Sequence, residues 1–234
     1  MVTCIVFDID GTLIDESESL ILQTNAVAWK FGDSLEKKQR VVDAFFAAND
    51  RAVAEGGQYK NDIAQYMRWM GEALGVVVSS EEAVRLADDW REAFSGTFRA
   101  PQVFADSVLC LETLRAKGLT LIAVSGGTTE KKQSLLKEAN LAEYFENVFA
   151  ATDIGFQKQD VRFWQQLLKD LNISAETIMV VGNQINDDIM HPKALGMETV
   201  LINRPGLLRK DLGPKDLEAD YTIENLGELT KLIE

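Results

Sequence analysis

Two aspartates close a short apolar segment near the start of the chain. Residues 4–7 are apolar, and Asp8, Asp10, Gly11 and Thr12 follow within five positions. An apolar run that ends at a turn predicts a buried strand, and residues two apart on a strand share a face. Two neighbouring carboxylates repel each other, and a divalent cation such as Mg²⁺ offsets that repulsion at phosphate sites. Gly11 permits a tight turn whose N–H groups face an anion, and the Thr12 hydroxyl can donate to it.

Three later segments carry further polar groups that suit phosphate chemistry. They are Ser125-Gly126-Gly127, then Lys158, and then Gly182 to Asp188, which contains Asn183 and Asp187. A serine and glycines before a helix can hold a phosphate group, and a lysine supplies the positive charge that an anionic substrate needs. Each segment also has an ordinary alternative: Ser125 as a helix cap, Lys158 as a solvated lysine, or helix-start acids favoured by the dipole.

From Phe104 onwards, helices and strands alternate along the chain. Strands are predicted near Leu119–Val124, Val148–Ala150, Ile178–Val181, Thr199–Ile202 and Tyr221–Ile223. Helices are predicted near Asp106–Lys117, Glu130–Glu138, Asp160–Leu171, Asp188–Leu195 and Asn225–Ile233. This alternation indicates an α/β fold, a doubly wound Rossmann-like parallel sheet with helices on both faces. Because the carboxyl ends of such strands meet at one edge, the polar segments above are expected to lie together there.

The region between the opening strand and Arg99 shows apolar residues at helical spacing and no strand signal before Leu119. We therefore expect a four-helix insertion, with residues 16–99 as an inserted domain and residues 1–15 and 100–234 as the core domain. Hinges are predicted near Asp15–Ser17 and Arg99–Pro101. Four aromatic side chains are assigned to the core of this insertion: Tyr59, Tyr66, Trp69 and Trp90.

Charge and composition narrow the possible partners. The net charge of −13 over 234 residues argues against nucleic acid and against an anionic membrane surface. The two cysteines, Cys4 and Cys110, form no metal-binding spacing and are expected to be buried free thiols. No basic segment precedes an apolar run at the start, so a cytoplasmic protein is expected. Whether it is a monomer or a homodimer is left open.

The Asp-x-Asp-Gly-Thr turn, the serine after the second core strand, the later lysine and the Gly182–Asp188 segment together resemble the haloacid dehalogenase superfamily. The resemblance covers nearly the whole chain and includes the helical insertion after the first motif, which implies that residues 16–99 are a helical cap domain. It implies a phosphatase acting on a small phosphorylated metabolite. Asp8 would be the nucleophile, and Asp10 would protonate the leaving alcohol and later activate water.

The remaining roles also follow from this resemblance. Ser125, Gly126, Lys158 and the Gly11-Thr12 turn would hold the phosphoryl oxygens, with Lys158 offsetting charge in the transition state. Mg²⁺ would be held by Asp8, by the backbone carbonyl of Asp10 and by Asn183, with Asp187 or Asp188 acting through water. Asn183 stands where the family usually has an aspartate, so weaker metal binding is expected. Gln159 stands where a proline is common.

Several other functions are compared with this interpretation. A catalytically weak or inactive family member that binds a phosphorylated ligand or a protein partner is suggested by Asn183. A phosphomutase remains open, whereas a dehalogenase usually lacks the second aspartate, so Asp10 argues against it. Neither cysteine has an arginine six positions later, which disfavours a cysteine phosphatase. The chain also lacks the Gly-Lys-Ser/Thr end of a P-loop and a dinucleotide-binding glycine motif after the first strand. The single histidine, His191, is assigned a structural role.

Overall fold

The computed structural model describes residues 1–55, 62–95, 101–207 and 217–233. These residues divide into two compact units. The first comprises residues 1–15, 101–206 and 217–233, and the second comprises residues 16–55, 62–95 and 207. Within the described ranges, no helix combines the length and the apolar character that crossing a membrane requires.

The second unit is helical. Its helices are α1 (Ser17–Ala26), α2 (Ala28–Phe31), α3 (Leu35–Ala54), α4 (Ile63–Leu74) and α5 (Ser80–Ser95). The prediction of four helices was wrong at the first, which divides in two. Val27 has φ −100° and ψ 3° between α1 and α2, and its fully buried side chain packs in the unit's core. The helix therefore breaks at a residue whose side chain is buried in the core of the unit.

Aromatic residues fill the core of this unit, as the sequence predicts. Tyr66, Trp69 and Trp90 are buried there, whereas Tyr59 lies outside the described residues. The start of α5 carries a capping box, in which Glu82 N donates to Ser79 Oγ (3.2 Å) and Ser79 N donates to Glu82 Oε2 (2.9 Å). These paired bonds satisfy two N–H groups that the helix start leaves without partners.

The first unit is built on a six-stranded sheet in the order β5-β4-β1-β6-β7-β8, and all of its neighbouring strands are parallel. The chain's strands are β1 (Cys4–Asp8), β2 (Ile14–Asp15), β3 (Gln102–Val103), β4 (Thr120–Ser125), β5 (Asn147–Ala150), β6 (Ile178–Gly182), β7 (Glu198–Ile202) and β8 (Tyr221–Ile223). The predicted parallel sheet is confirmed. An antiparallel pair, β2 with β3, contradicts the expectation of no strand before Leu119. Each of these strands has two residues, too few to show alternation.

The described residues of this unit form six α-helices: α6 (Ser107–Ala116), α7 (Thr129–Glu138), α8 (Ala151–Ile154), α9 (Val161–Leu171), α10 (Met190–Ala194) and α11 (Leu226–Leu232). Side chains alternate along β1, so Ile5 and Phe7 pack with residues of α6 and α11 while Cys4 and Val6 pack with residues of α9. Both faces of the central strand are therefore covered, as a doubly wound fold requires.

The cysteines and the segment after β6 complete the description of this unit. Both cysteines are buried free thiols, and burial raises the pKa of each to about 12. The helix predicted from Asp188 begins at Met190 instead, because a π-helical turn occupies Ile185–Ile189. A single π turn breaks the 3.6-residue period on which the helix prediction depends.

Candidate active site

Asp8 ends β1, the central strand, and the residue as a whole is almost completely buried (4% exposed). Thr12 Oγ1 donates to Asp8 Oδ2 at 3.0 Å, and Lys158 Nζ donates to Asp8 Oδ1 at 2.6 Å. A buried carboxylate is stable only when such donors replace water. Both of its oxygens therefore have partners from residues that the sequence assigns to the site.

Lys158 lies in the loop between α8 and α9 and is also buried, so it is not a solvated lysine. Its Nζ contacts Asp188 Oδ1 at 2.6 Å as well as Asp8. Its backbone carbonyl accepts from Trp164 Nε1 at 2.9 Å, which fixes the loop against α9. Burial lowers the pKa of Lys158, but Asp188 and Asp8 raise it by more, so the net shift is upward.

Asp188 lies in the π-helical turn and is fully buried. Burial raises the pKa of Asp188 to about 7, while Lys158 acts in the opposite direction. The 2.6 Å contacts of Lys158 Nζ with both carboxylates favour a charged lysine. Gln184 N also donates to Asp188 Oδ2 at 3.1 Å, and a Cβ on Gly182 would lie only 2.2 Å from Asp188 Cγ. Glycine is therefore required at 182 for Asp188 to approach the sheet.

Asp10 lies in the turn after β1 and is more exposed than Asp8, at 25% of its side chain. Ser125, the last residue of β4, donates from Oγ to Asp10 Oδ2 at 3.0 Å. Lys132 Nζ, from the first turn of α7, donates to the same oxygen. Ser125 does not cap α7, because Thr128 is the N-cap and its Oγ1 accepts from Lys131 N.

Lys132 is absent from the residues predicted from the sequence. A cation in the first turn of a helix is disfavoured by the helix dipole. The place of Lys132 in the predicted helix was therefore the one feature of the sequence that could have drawn attention to it. Its side chain is only 18% exposed, so its charge has lost most of its contact with water. A carboxylate partner was therefore to be expected, although the sequence does not show which one.

Asn183 follows β6 directly and lies against the Gly11 turn. A Cβ on Gly11, whose φ is +80°, would lie 2.1 Å from Asn183 Nδ2, so only glycine fits there without a shift. Asn183 is 6% exposed, and neither of its side-chain amide atoms has a hydrogen-bond partner among the described residues. A buried carbonyl oxygen without a donor, beside the Asp8 and Asp10 turn, fits an oxygen-ligated cation such as Mg²⁺.

The described residues contain no group of three or more histidine, cysteine or acidic side chains that could hold a metal ion. Asparagine at 183 removes the acid that the family pattern would place there, so a cation would depend on neutral oxygens together with Asp8. The donor set therefore fits a weakly held hard cation.

The remaining predicted residues lie at the margin of this cluster. Asp187 Oδ1 accepts from Gln159 Nε2 at 2.6 Å, and His191 Nε2 lies 2.8 Å from the Gln159 carbonyl, which agrees with a structural histidine. Gly126 follows Ser125 between β4 and α7 and is half-buried. Hydrogen bonds thus link Asp8, Thr12, Lys158 and Asp188 in one group, and Asp10, Ser125 and Lys132 in another.

The first unit is thus an α/β domain with a doubly wound sheet, which carries two aspartates and a buried lysine beside the carboxyl end of its central strand. The model of the haloacid dehalogenase-like hydrolase family matches residues 2–196, and the chain belongs to this family. The expected family is thereby confirmed.

Curated relatives include phosphatases. Glyceraldehyde 3-phosphate phosphatase from Methanothermobacter thermautotrophicus is 25% identical over 204 residues, which cover 87% of this chain and 86% of the relative. Phosphoglycolate phosphatase from Shigella boydii is 27% identical over 207 residues, covering 84% of this chain and 79% of the relative. These names support a hydrolase of the phosphatase type and differ in substrate.

Two solved structures show the same fold. The HAD-hydrolase YfnB from Bacillus subtilis, bound to magnesium, has a TM-score of 0.76 at 18% identity and covers 100% of this chain and 99% of its own. L-2-haloacid dehalogenase from Xanthobacter autotrophicus has a TM-score of 0.64 at 16% identity, covering 100% of this chain and 98% of its own. At these identities the two structures establish the fold alone.

Proposed function

We propose that this protein is a Mg²⁺-dependent phosphomonoester hydrolase that acts on a small phosphorylated metabolite through a phospho-aspartate. The observation that carries the proposal is the position of Asp8 at the carboxyl end of the central strand, held by Lys158 and Thr12 with Asp10 two residues further on. This arrangement provides a nucleophile and a separate acid within one turn of chain, and a cation from the loop between α8 and α9 that contacts the nucleophile. The phosphatase names of the relatives support the same reaction class.

In the proposed reaction, an oxygen of Asp8 attacks phosphorus and the bond from phosphorus to the ester oxygen breaks. Asp10 gives its proton to the leaving oxygen, so the product is an alcohol. Asp10 then takes a proton from water, which attacks the phospho-aspartate, releasing inorganic phosphate and restoring Asp8. The Lys158 ammonium offsets the charge on the phosphoryl oxygens, to which the Ser125 and Thr12 hydroxyls donate.

A Mg²⁺ ion would be held by the Asp8 carboxylate, the Asp10 backbone carbonyl and the Asn183 side-chain oxygen, with Asp187 or Asp188 acting through water. When bound, it would neutralise charge shared between Asp8 and a phosphoryl oxygen. The buried amide of Asn183, which has no hydrogen-bond partner in the part of the chain that the structure describes, is the feature that favours this assignment. Because asparagine carries no charge, a high Mg²⁺ requirement is expected.

Asp10 also bears on how the proposed phosphatase activity compares with two related reactions, dehalogenation and phosphoryl transfer by a mutase. Attack on carbon with loss of halide needs no acid for the leaving group, and the resemblance predicts that dehalogenases lack this aspartate. Transfer of the phosphoryl group back to a sugar, as in a phosphomutase, would use the same residues and stays an alternative.

Asn183 favours a second candidate function, a protein that binds phosphorylated ligands with little turnover. The missing acid would weaken the metal site while the Lys158 and Ser125 donors remain able to hold phosphate. The same residues would serve an enzyme and a binding protein, so the two candidates are distinguished by measuring turnover.

The test is hydrolysis of 4-nitrophenyl phosphate with and without Mg²⁺, beside the Asp8→Asn variant. We expect turnover that requires Mg²⁺ and disappears in Asp8→Asn, because the nucleophile is lost. Asn183→Asp should lower the Mg²⁺ concentration for half-maximal activity, and an unchanged requirement would remove Asn183 from the ligand set. Wild-type turnover no higher than that of Asp8→Asn at high Mg²⁺ would rule out the enzyme.

We also propose that residues 16–99, the helical unit, serve as a cap domain that selects the leaving group. The support is that the helical unit is compact and separate from the sheet unit, and that it is inserted directly after the first motif. A chimera carrying this segment from a relative with another substrate should change the order of preferred substrates while still requiring Asp8. An unchanged order of substrates would refute the cap role.

A further inference from the structure

Two donors meet at a single oxygen of Asp10. Ser125 Oγ lies 3.0 Å from Asp10 Oδ2, and Lys132 Nζ donates to that same atom. Ser125 follows from the family pattern, whereas Lys132 belongs to none of the segments that carry it. The contact joins the first turn of α7 to the turn after β1.

The surroundings of Lys132 show that this contact is part of the folded site. Its side chain is 18% exposed and lies in the first turn of α7, where the helix dipole repels a cation. The neighbouring Lys131 is exposed instead. A desolvated ammonium at an unfavourable helix position is stabilised by a nearby carboxylate, and Asp10 supplies it.

Ser125 and Lys132 differ in how many hydrogen bonds they can donate. A serine hydroxyl has one hydrogen to donate, so Ser125 cannot donate to Asp10 and to a phosphoryl oxygen at the same time. An ammonium has three hydrogens and keeps a donor for Asp10 in either case. When Ser125 turns to the substrate, Lys132 is therefore the donor that continues to hold the Asp10 carboxylate.

We infer that Lys132 is a positioning residue that holds Asp10 in place for proton transfer to the leaving group. This inference depends on the proposed phosphatase function. Lys132 acts through Asp10, so its removal should affect the reaction in proportion to how much the leaving oxygen needs a proton. A substrate whose leaving group is stable as an anion should hardly respond.

The experiment compares Lys132→Met with wild type over a series of substituted phenyl phosphates whose phenols span a range of pKa values. The quantity measured is kcat/KM, which reports the steps up to departure of the leaving group. We expect little change for 4-nitrophenyl phosphate and a loss of roughly tenfold for the poorest leaving groups. The plot of log kcat/KM against leaving-group pKa should thus become steeper.

Two further variants separate positioning from charge. Lys131→Met removes the same charge from the adjacent, exposed position and should leave the slope at its wild-type value. Lys132→Arg keeps a donor for Asp10 and should restore most of the wild-type slope. An equal loss for every leaving group in Lys132→Met, or the same steepening in Lys131→Met, would overturn the inference.

Crystal structures of wild type and Lys132→Met with inorganic phosphate bound supply a readout that needs no turnover. With the Ser125 hydroxyl turned to the phosphate, we expect the Asp10 carboxylate to keep its position in wild type and to leave it, or to occupy two positions, in Lys132→Met. An Asp10 in its original position in the phosphate-bound Lys132→Met protein would overturn the positioning role even if the wild type hydrolyses no phosphate ester. Failure of the proposed function appears separately, as wild-type turnover no greater than that of Asp8→Asn on every substrate.

Discussion

Asp8 and Asp10 lie two residues apart and have matching sets of partners. Among the contacts given above, each carboxylate accepts from a hydroxyl and a lysine: Thr12 and Lys158 for Asp8, and Ser125 and Lys132 for Asp10. Lys158 also contacts Asp188, and the two groups differ in their exposure to water. The Asp8–Lys158 pair is 6% and 5% exposed at its side chains, and the Asp10–Lys132 pair is 25% and 18% exposed.

The difference in exposure suits the two aspartates to different roles in the proposed reaction. A nucleophile benefits from a fixed position and low solvation, which the buried Asp8 group provides. An acid that exchanges protons with a leaving group and with water needs some access to solvent, which the Asp10 group has. Burial also sets how strongly each group is coupled to folding, since a buried pair that loses one partner costs far more than an exposed one.

The largest effect is expected from Lys158→Met. This change leaves Asp8 and Asp188 buried without their shared cation, and the free energy of unfolding should fall by about 3–5 kcal/mol. Urea unfolding at neutral pH, followed by circular dichroism, measures the difference.

The matched control for that prediction is Lys132→Met, which removes a lysine from the more exposed pair. Its loss in unfolding free energy should be at most about 1 kcal/mol, because water can solvate Asp10. If Lys132→Met lost as much unfolding free energy as Lys158→Met, the two groups would not differ in how strongly they are coupled to folding.

Residues at strand ends account for most of the site that the sequence could predict. Asp8, Ser125 and the Gly182 segment each end a strand of a parallel sheet, and strand order brings such positions together whatever the details of packing. Lys158 and Asp188 were also predicted, although their mutual contact was not. The strand-end positions follow from short apolar runs, which are strong local signals, whereas Lys158 and Asp188 were assigned their roles by the family resemblance.

The missed features depend on how elements pack. Lys132 reaches Asp10 only because of the direction in which α7 leaves the sheet edge, and no local pattern encodes that direction. The close approach of Asn183 to Gly11, and its lack of a hydrogen-bond partner among the described residues, also arise from packing. The π-helical turn at Ile185–Ile189 has 5 residues, which are too few to show a periodic pattern in the sequence.

Gly11 joins the two carboxylate groups, and Gly11→Ala should produce the next largest effect. Its φ of +80° disfavours any side chain, and the added Cβ would meet Asn183 Nδ2 at 2.1 Å. We expect a loss of about 3 kcal/mol in unfolding free energy, from backbone strain together with the steric clash.

Gly127→Ala is the control that separates these two causes. Gly127 also has a φ of +80°, but a Cβ there would meet nothing within 4 Å, so only strain of about 1–2 kcal/mol is expected. Adding Asn183→Ala to Gly11→Ala should recover part of the difference. Equal losses for the two glycines would show that Asn183 does not restrict the turn.

The smallest effect concerns the two hydroxyls. Thr12→Val removes a donor from a carboxylate that water does not reach, and we expect a loss of about 1.5–3 kcal/mol in unfolding free energy. Ser125→Ala removes a donor from Asp10, whose exposed side chain can take water instead, so its loss should be about 1 kcal/mol or less. Urea unfolding of both variants measures the difference, and a larger loss for Ser125→Ala would contradict it. Such a reversal would mean that Asp10, and not Asp8, is the carboxylate whose charge the fold must satisfy.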